Sequence, residues 1–234
     1  MTQIIISESK DKEENLLYLQ SAINTIVQSA GSRIEFIESD NRCKLILTCM
    51  DYFGELIHLE IIDKIAEIIV VKYKYEYFKK NLLLGGLSKD EREIMFASLI
   101  AADLEDDKSY AIEKIKGYND IAVDGAFNFL LRPLQKKWQE VVSLIPSCFM
   151  PSQLKDFVCF LLENKKKRIY IDGTRVFDSH YRELKRANLL DGEDIKLVRE
   201  VLLSNCGIIE LSGKTPSLDE KYLKEFYGDK IIFV

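Results

Sequence analysis

Apolar residues recur at three- and four-residue steps through residues 123–145, and this spacing predicts an amphipathic helix. Pro133 lies inside that pattern. Because proline lacks an amide donor and its ring clashes with the preceding turn, we expect either a kink there or a break at which Pro133 starts a second helix. Beyond Pro151, the apolar face of residues 154–162 predicts the next helix.

The first third of the chain combines strand-like and helical patterns. Residues 11–30 predict a helix with an acidic first turn, ended by Gly31. Short apolar or alternating runs between turn-rich segments predict strands. These runs are residues 3–7, 33–38, 43–49 and 55–61. We therefore expect a small α/β unit over residues 1–62.

The middle of the chain is dominated by helical spacing. Residues 62–84 predict one long helix, closed by two glycines. Ser88 and Glu91 have the spacing of a capping box, which predicts the start of another helix. The polar run 105–109 predicts a loop. We expect a central helical region over residues 63–167.

Residues 168–234 return to a mixture of strands and helices. Asp172-Gly173-Thr174 separates two β-type runs and predicts a hairpin. The later elements are predicted as helices over 181–189 and 193–203, a strand over 207–211, a helix over 217–227 and a strand over 230–234. This order implies parallel strand pairs joined by helices. The predicted fold class is α+β: a helix-rich centre with an N-terminal α/β unit and a C-terminal hairpin plus βαβαβ unit.

The composition is that of a folded globular protein, with 47% hydrophobic and 30% charged residues. A formal net charge of -5 disfavours general binding to nucleic acid or to anionic membranes. The first residues lack the basic start and apolar core of a signal peptide, and no run approaches the roughly 18 apolar residues of a membrane span. Five cysteines without zinc or redox spacing favour reduced, buried thiols in a cytoplasmic protein.

Asp124-Gly125 is one candidate binding site. The functional interpretation is a recognition point or partner contact. The structural alternative is that Asp124 caps the central helix and that Gly125 lets a neighbouring element approach closely. We favour the structural alternative because aspartate is common at helix starts.

The basic run Lys165, Lys166, Lys167 and Arg168 is the second candidate binding site. It could contact phosphate or nucleic acid. Cations at a helix C-terminus, however, also interact favourably with the helix dipole, by about 0.3–1 kcal/mol. No aromatic residues alternate with this run, and the chain as a whole is acidic, so nucleic-acid binding is the weaker interpretation.

No stretch predicts a catalytic, cofactor or metal site. Ser179 and His180 follow Asp178, but adjacent residues cannot easily align a nucleophile, a base and an orienting acid. The acidic cluster at residues 103–107 lacks the glycine and distal glutamate of a calcium loop. Asp51, Glu60 and Asp63 could be proposed as a two-metal nuclease set, although nothing in the sequence fixes their geometry.

Three segments together resemble the YtxC-like family of sporulation proteins from endospore-forming bacteria. They are IIDKIAEIIVVKYKYEYFKKNLL at 61–83, DIAVDGAFNFLL at 120–131, and a C-terminal region that ends with GIIELS and EFYGDKIIFV. The likeness extends over roughly residues 60–234 and departs at Pro133. The resemblance implies a sporulation context and implies no enzymatic activity and no catalytic residues.

These observations lead to a functional expectation with two alternatives. The first choice is a non-enzymatic, cytoplasmic interaction or regulatory module with an unknown protein partner and no cofactor, and homo-oligomerisation stays open. One alternative is a metal-dependent hydrolase or nuclease built on scattered Asp and Glu. The other is nucleic-acid binding through residues 165–168. An exposed apolar patch of several hundred Å² would favour the first choice.

Overall fold

The computed structural model describes all residues, from Met1 to Val234. The fold is α+β, with 58% of residues in helices and 19% in strands that form two mixed sheets. None of the helices has the length and apolar composition that a membrane span requires.

The chain forms two compact units that interleave along the sequence. The N-terminal unit comprises Met1–Tyr73 and Glu105–Gln139, and the C-terminal unit comprises Lys74–Leu104 and Glu140–Val234. These bounds differ from the three consecutive regions expected from the sequence, which were 1–62, 63–167 and 168–234. One reason is a short strand at residues 120–122 that pairs with the first strand of the chain and so joins the N-terminal sheet.

The sheet of the N-terminal unit has four strands in the order β2-β3-β1-β4. They are β1 (Thr2–Ser9), β2 (Arg33–Glu38), β3 (Arg42–Cys49) and β4 (Asp120–Ala122). β3 is antiparallel to both of its neighbours, whereas β4 is parallel to β1. Helix α1 (Glu13–Ser29) buries Leu16, Leu19, Ile23 and Val27, as its spacing predicts.

Helix α2 (Asp51–Ile68) includes the segment 55–61, which was predicted as a strand. That prediction is wrong because the buried positions, such as Ile57, Ile61 and Ile65, recur every four residues. The helix continues through a π-helical turn, Ile69–Tyr73, into α3 (Lys74–Asn81), so the long helix predicted over 62–84 is confirmed except at its end, which lies at Asn81.

Helix α4 (Lys89–Ala102) begins with the predicted capping box: the Glu91 amide donates to the Ser88 hydroxyl, and the Glu91 carboxylate accepts from the Ser88 amide. The loop predicted over 105–109 is wrong, because those residues open α5 (Leu104–Ile115). Three acidic side chains in the first turn of α5 suit the positive end of the helix dipole.

The predicted break at Pro133 is confirmed. After β4, a single turn, α6 (Val123–Gly125), leads into a π-helical turn, Ala126–Leu130. Leu131 ends that turn, and α7 (Arg132–Leu144) follows. Proline is tolerated in the first turn of a helix because its missing amide would have no intrahelical partner there.

The C-terminal unit contains α8 (Pro151–Leu162) and a five-stranded sheet in the order β7-β6-β5-β8-β9. The strands are β5 (Arg168–Asp172), β6 (Arg175–Phe177), β7 (Glu183–Leu184), β8 (Ile208–Ser212) and β9 (Ile231–Phe233). β5 and β6 form the predicted hairpin, and Gly173 adopts a φ of 63° in its turn. β8 is parallel to β5 and β9, with α9 (Lys196–Leu203) and α10 (Ser217–Tyr227) in the connections.

The helix predicted over 181–189 is wrong. Tyr181 has a φ of 58°, which a helix cannot contain, and the segment forms β7 and a 3₁₀ turn at Arg186–Leu189. The Asp178 carboxylate accepts hydrogen bonds from the backbone amides of His180 and Arg182. Such a local side-chain-to-backbone arrangement competes with helix formation.

Candidate functional site

Helix α2 exposes an apolar stripe, which we define as Tyr52, Leu56 and Leu59. Their exposed fractions are 89%, 56% and 55%. The spacing of four and three residues places the three side chains side by side on one face of the helix. An exposed apolar row of this kind is a candidate contact surface.

Acidic residues border the α2 stripe. Glu55 lies immediately before Leu56 and four residues before Leu59. Glu60 lies immediately after Leu59 and four residues after Leu56. Neither glutamate is part of an ion pair. At the two ends, Asp51 accepts from the amino group of Met1 at 3.0 Å and Asp63 accepts from Lys108 at 2.9 Å. The stripe is thus an apolar row with negative edges.

Asp124, the first predicted binding residue, lies in the N-terminal unit. Both of its carboxylate oxygens accept hydrogen bonds from Arg42 at the start of β3, at 2.7 and 3.0 Å. The carboxylate also accepts from the amide of Gly125 at 2.9 Å. These bonds lower the pKa of Asp124, with the Arg42 hydrogen bonds as the largest cause. Asp124 thus has an internal ionic partner, but the predicted capping role is wrong, because Ala122 holds the cap position of α6 and makes no side-chain cap hydrogen bond.

Glu8 forms a buried polar cluster close to Asp124. Its carboxylate accepts from the hydroxyl of Tyr73 at 2.8 Å, from Nδ2 of Asn15 at 3.2 Å and from the amide of Ser9 at 2.9 Å. Burial nevertheless raises the pKa of Glu8, because desolvation outweighs these hydrogen bonds. Tyr73 ends the first π-helical turn, and its ring lies 4.7 Å from that of Phe127 in the second.

The basic run at 165–168 lies between α8 and β5, with Arg168 as the first residue of β5. Lys167 donates to the carbonyl of Ser204 at the C-terminus of α9, and Arg168 is paired with Glu210 of the neighbouring strand. Lys165 is half-buried and Lys166 is exposed. Half of the run therefore has internal partners, and one of these contacts is with a helix C-terminus, where a cation is stabilising.

The residues of the metal and triad alternatives are dispersed among separate contacts. No group of three or more His, Cys, Asp or Glu side chains could hold a metal ion. Asp103 is paired with Lys74, and Asp107 accepts from Lys137 and from the indole of Trp138. Asp178 binds backbone amides and Arg182 instead of the His180 ring, so it does not orient that ring.

The C-terminal unit contains a cavity of about 420 Å³ that sequence reasoning missed. β6, β7, the N-terminal half of α9 and the start of α10 form its walls. Four side chains in its lining are buried: Val176, Leu197, Glu200 and Asp219. Two acidic and two aliphatic residues therefore line its buried part.

The two carboxylates of the cavity are each held by the backbone. Glu200 accepts from the amide of Ala187 at 2.6 Å, and Asp219 accepts from the amide of Val198, in the first turn of α9, at 3.0 Å. Burial raises the pKa of Asp219, with desolvation as the largest cause. No local motif in the sequence could have identified this pair, since Asp219 reaches α9 from the next helix.

Ion pairs occupy the exposed part of the cavity lining. Lys185 pairs with Glu183 and Lys196 pairs with Glu193, each at 2.8 Å. The rim is therefore close to neutral, whereas the buried part carries two acidic groups.

All five cysteines are free thiols, of which three are buried and Cys148 is exposed. The expectation that the cysteines would all be buried is wrong at Cys148, which lies in the segment between α7 and α8.

Comparisons of the chain with protein-family models, curated proteins and solved structures find no match.

Proposed function

We propose that this protein is a non-enzymatic interaction module that binds a basic amphipathic helix of a protein partner through the α2 stripe. The observation that carries the proposal is the row formed by Tyr52, Leu56 and Leu59, all exposed on one helix face. Amphipathic helices commonly bind with apolar anchors spaced three and four residues apart, and this row presents such a spacing.

The charge around the stripe selects the kind of partner. Glu55 and Glu60 flank the apolar row without cations of their own, so a helix with Lys or Arg beside its apolar face is complementary. A second copy docked through the same face would bring these glutamates together across the two-fold axis, and like charges there oppose association. This favours a heterotypic partner over self-association through α2.

The cellular setting is part of the same proposal. The resemblance to the YtxC-like family motivates a role during sporulation, and the reduced cysteines suit the cytoplasm. The dispersed acidic residues and the internally paired basic run give less support to a hydrolase, a nuclease or a nucleic-acid-binding protein.

A matched pair of peptides tests the proposal directly. One labelled helical peptide carries leucines on one face with lysine flanks, and the other has the same leucines with glutamate flanks. We expect the lysine peptide to bind saturably in a fluorescence anisotropy titration, and Leu56→Asp to weaken it by about tenfold or more. Leu83→Asp, which changes a leucine that is 76% exposed in the C-terminal unit, provides the control and is expected to bind normally.

Two results would overturn this assignment. Equal affinity for both peptides would mean that the negative edges of the α2 stripe do not discriminate between a basic and an acidic helix. Equal weakening by Leu56→Asp and Leu83→Asp would mean that binding is general hydrophobic adhesion and not a function of α2.

A further inference from the structure

Strand β2 lies at an edge of the N-terminal sheet, because the strand order β2-β3-β1-β4 leaves one of its sides without a neighbouring strand. With six residues it is twice as long as β4, the three-residue strand at the opposite edge. It contains no proline, and all of its residues pair with β3 without a bulge. An open and regular edge of this kind presents backbone groups that can pair with another strand.

The ladder with β3 shows which backbone groups of β2 face outward. Just beyond the ladder, the amide of Ser39 donates to the carbonyl of Arg42 at 2.9 Å. Hydrogen-bonded and non-hydrogen-bonded positions alternate along an antiparallel pair. The amides and carbonyls of Ile34, Phe36 and Glu38 therefore point away from β3, and no hydrogen bond from a turn or a loop occupies them. The open edge thus has a defined pattern of donors and acceptors.

A second copy of β2 matches this pattern in an antiparallel arrangement. A two-fold axis through Phe36, perpendicular to the sheet, pairs Phe36 with itself and Ile34 with Glu38 of the second copy. Each of these facing pairs can exchange both backbone hydrogen bonds, so every outward-facing group obtains a partner. On the other face of the sheet, Glu35 lies opposite Ile37 of the second copy. No like charges are directly opposite each other, and the central aromatic pair is favourable across strands.

Charge selects this register over its nearest alternative. An axis through Glu35 would place the two Glu35 side chains directly opposite each other, and like charges in that arrangement are destabilising. An axis closer to either end of β2 would leave outward-facing groups unpaired. We propose that this protein forms a homodimer in which two copies of β2 pair in the register centred on Phe36. Because each copy contributes one short strand, we expect a dissociation constant on the order of 10 μM.

A pair of opposite charges at Ile37 tests both the dimer and its register. Ile37 is 43% exposed, so either charge can be placed there without entering the core. Glutamate at this position would face Glu35 of the second copy twice by symmetry, whereas lysine would face it with the opposite charge. Sedimentation velocity of the full chain should therefore show dimerisation about tenfold weaker for Ile37→Glu than for Ile37→Lys. Adding Glu35→Lys to Ile37→Glu should restore the dimer.

Ile232 provides the matched control for these charges. It is an isoleucine with 42% exposure in β9, an edge strand of the other sheet. Ile232→Glu and Ile232→Lys carry the same two changes of net charge, and we expect both to dimerise like the wild type.

Proline at Phe36 tests the role of the backbone. The amide of Phe36 faces outward, so its loss removes no hydrogen bond to β3, and proline is tolerated at such edge positions. Phe36→Ala removes the ring but keeps the amide. We expect Phe36→Pro to dimerise at least tenfold more weakly than Phe36→Ala, because proline cannot donate across the two-fold axis. Should Phe36→Pro fail to fold, the charge variants at Ile37 decide the question.

The proposal is overturned if the wild type sediments as a monomer at 200 μM, about twentyfold above the expected dissociation constant. It is also overturned if Ile37→Glu and Ile37→Lys dimerise equally, or if the Ile232 variants differ from each other as much. A dimer that Ile37→Glu strengthens would place Ile37 near a cation and would exclude the register centred on Phe36. None of these outcomes depends on the α2 stripe, so they leave the proposed function to its own test.

Discussion

The carboxylates of the two units have different sets of partners. In the N-terminal unit, distant side chains donate to each of them: Tyr73 to Glu8, Trp138 to Asp107 and Arg42 to the half-buried Asp124, with the amides of Ser9 and Gly125 as additional local donors. In the cavity of the C-terminal unit, backbone amides bind Glu200 and Asp219. The side-chain donors connect residues far apart in the sequence of the N-terminal unit, whereas the amides of Ala187 and Val198 fix carboxylates that belong to α9 and α10.

The largest expected effect is at Trp138. Its side chain is fully buried, stacks on Phe127 at 5.7 Å and donates to Asp107 at 2.8 Å. Trp138→Ala should therefore lower the free energy of unfolding by about 3–5 kcal/mol in denaturant melts, through the cavity that it leaves. Phe160→Ala, at an aromatic residue that is 71% exposed, should change it by about 0.5 kcal/mol or less. A loss below about 1 kcal/mol at Trp138 would show that this network is not a packed one.

The next effect is a pH dependence at Glu8. Because burial raises its pKa above the ordinary value of 4.5, the folded state holds the proton more tightly than the unfolded state does. The contribution of Glu8 to stability is therefore greatest at or below pH 4.5 and declines as the pH rises through the folded-state pKa. The stability of Glu8→Gln does not decline in this way, because glutamine does not ionise.

Chemical denaturation of the wild type and Glu8→Gln between pH 4.5 and 8 measures this effect. We expect the stability of Glu8→Gln relative to the wild type to improve with rising pH, because only the wild type loses stability as Glu8 ionises. The side chain of Asn15 can accommodate the new amide, since its Oδ1 has no hydrogen-bond partner. A constant difference across the range would mean that Glu8 has a similar pKa in both states.

A smaller effect is expected at Asp124, where the pH dependence of stability has the opposite sign. Arg42 lowers the pKa of Asp124 below 3.8, so its stabilisation is present at neutral pH and is lost as the pH falls through the folded-state value. Asp124→Asn should cost about 1 kcal/mol at pH 7, since the pair is bidentate but partly exposed to solvent. Asp40→Asn, in the exposed turn before β3, is the control and should leave the unfolding midpoint unchanged. A midpoint shift as large at Asp40→Asn would attribute the effect to net charge.

Local signals in the sequence predicted much of the fold but little of the candidate sites. The capping box at Ser88 and the break at Pro133 depend on neighbouring residues, and both are confirmed. The sequence does not reveal the α2 stripe, because Leu56 and Leu59 lie in a run whose apolar alternation predicts a strand. The cavity could not be predicted from the sequence for another reason. Asp219 and Glu200 come together only through packing of α9, α10 and the β6–β7 edge.

The smallest expected effect, at Asp219, tests the comparison most sharply. Burial raises the pKa of Asp219, so its charge is a cost to the folded state above pH 3.8, opposite to the case of Asp124. Asparagine keeps an oxygen that can accept from the amide of Val198, so Asp219→Asn should change the stability at pH 7 by less than about 0.5 kcal/mol or raise it slightly. Glu220→Gln controls for the loss of one negative charge on α10. If Asp219→Asn destabilised the protein more than Asp124→Asn does, its carboxylate would be a structural cap of α9, and the distinction between the two regions would fail.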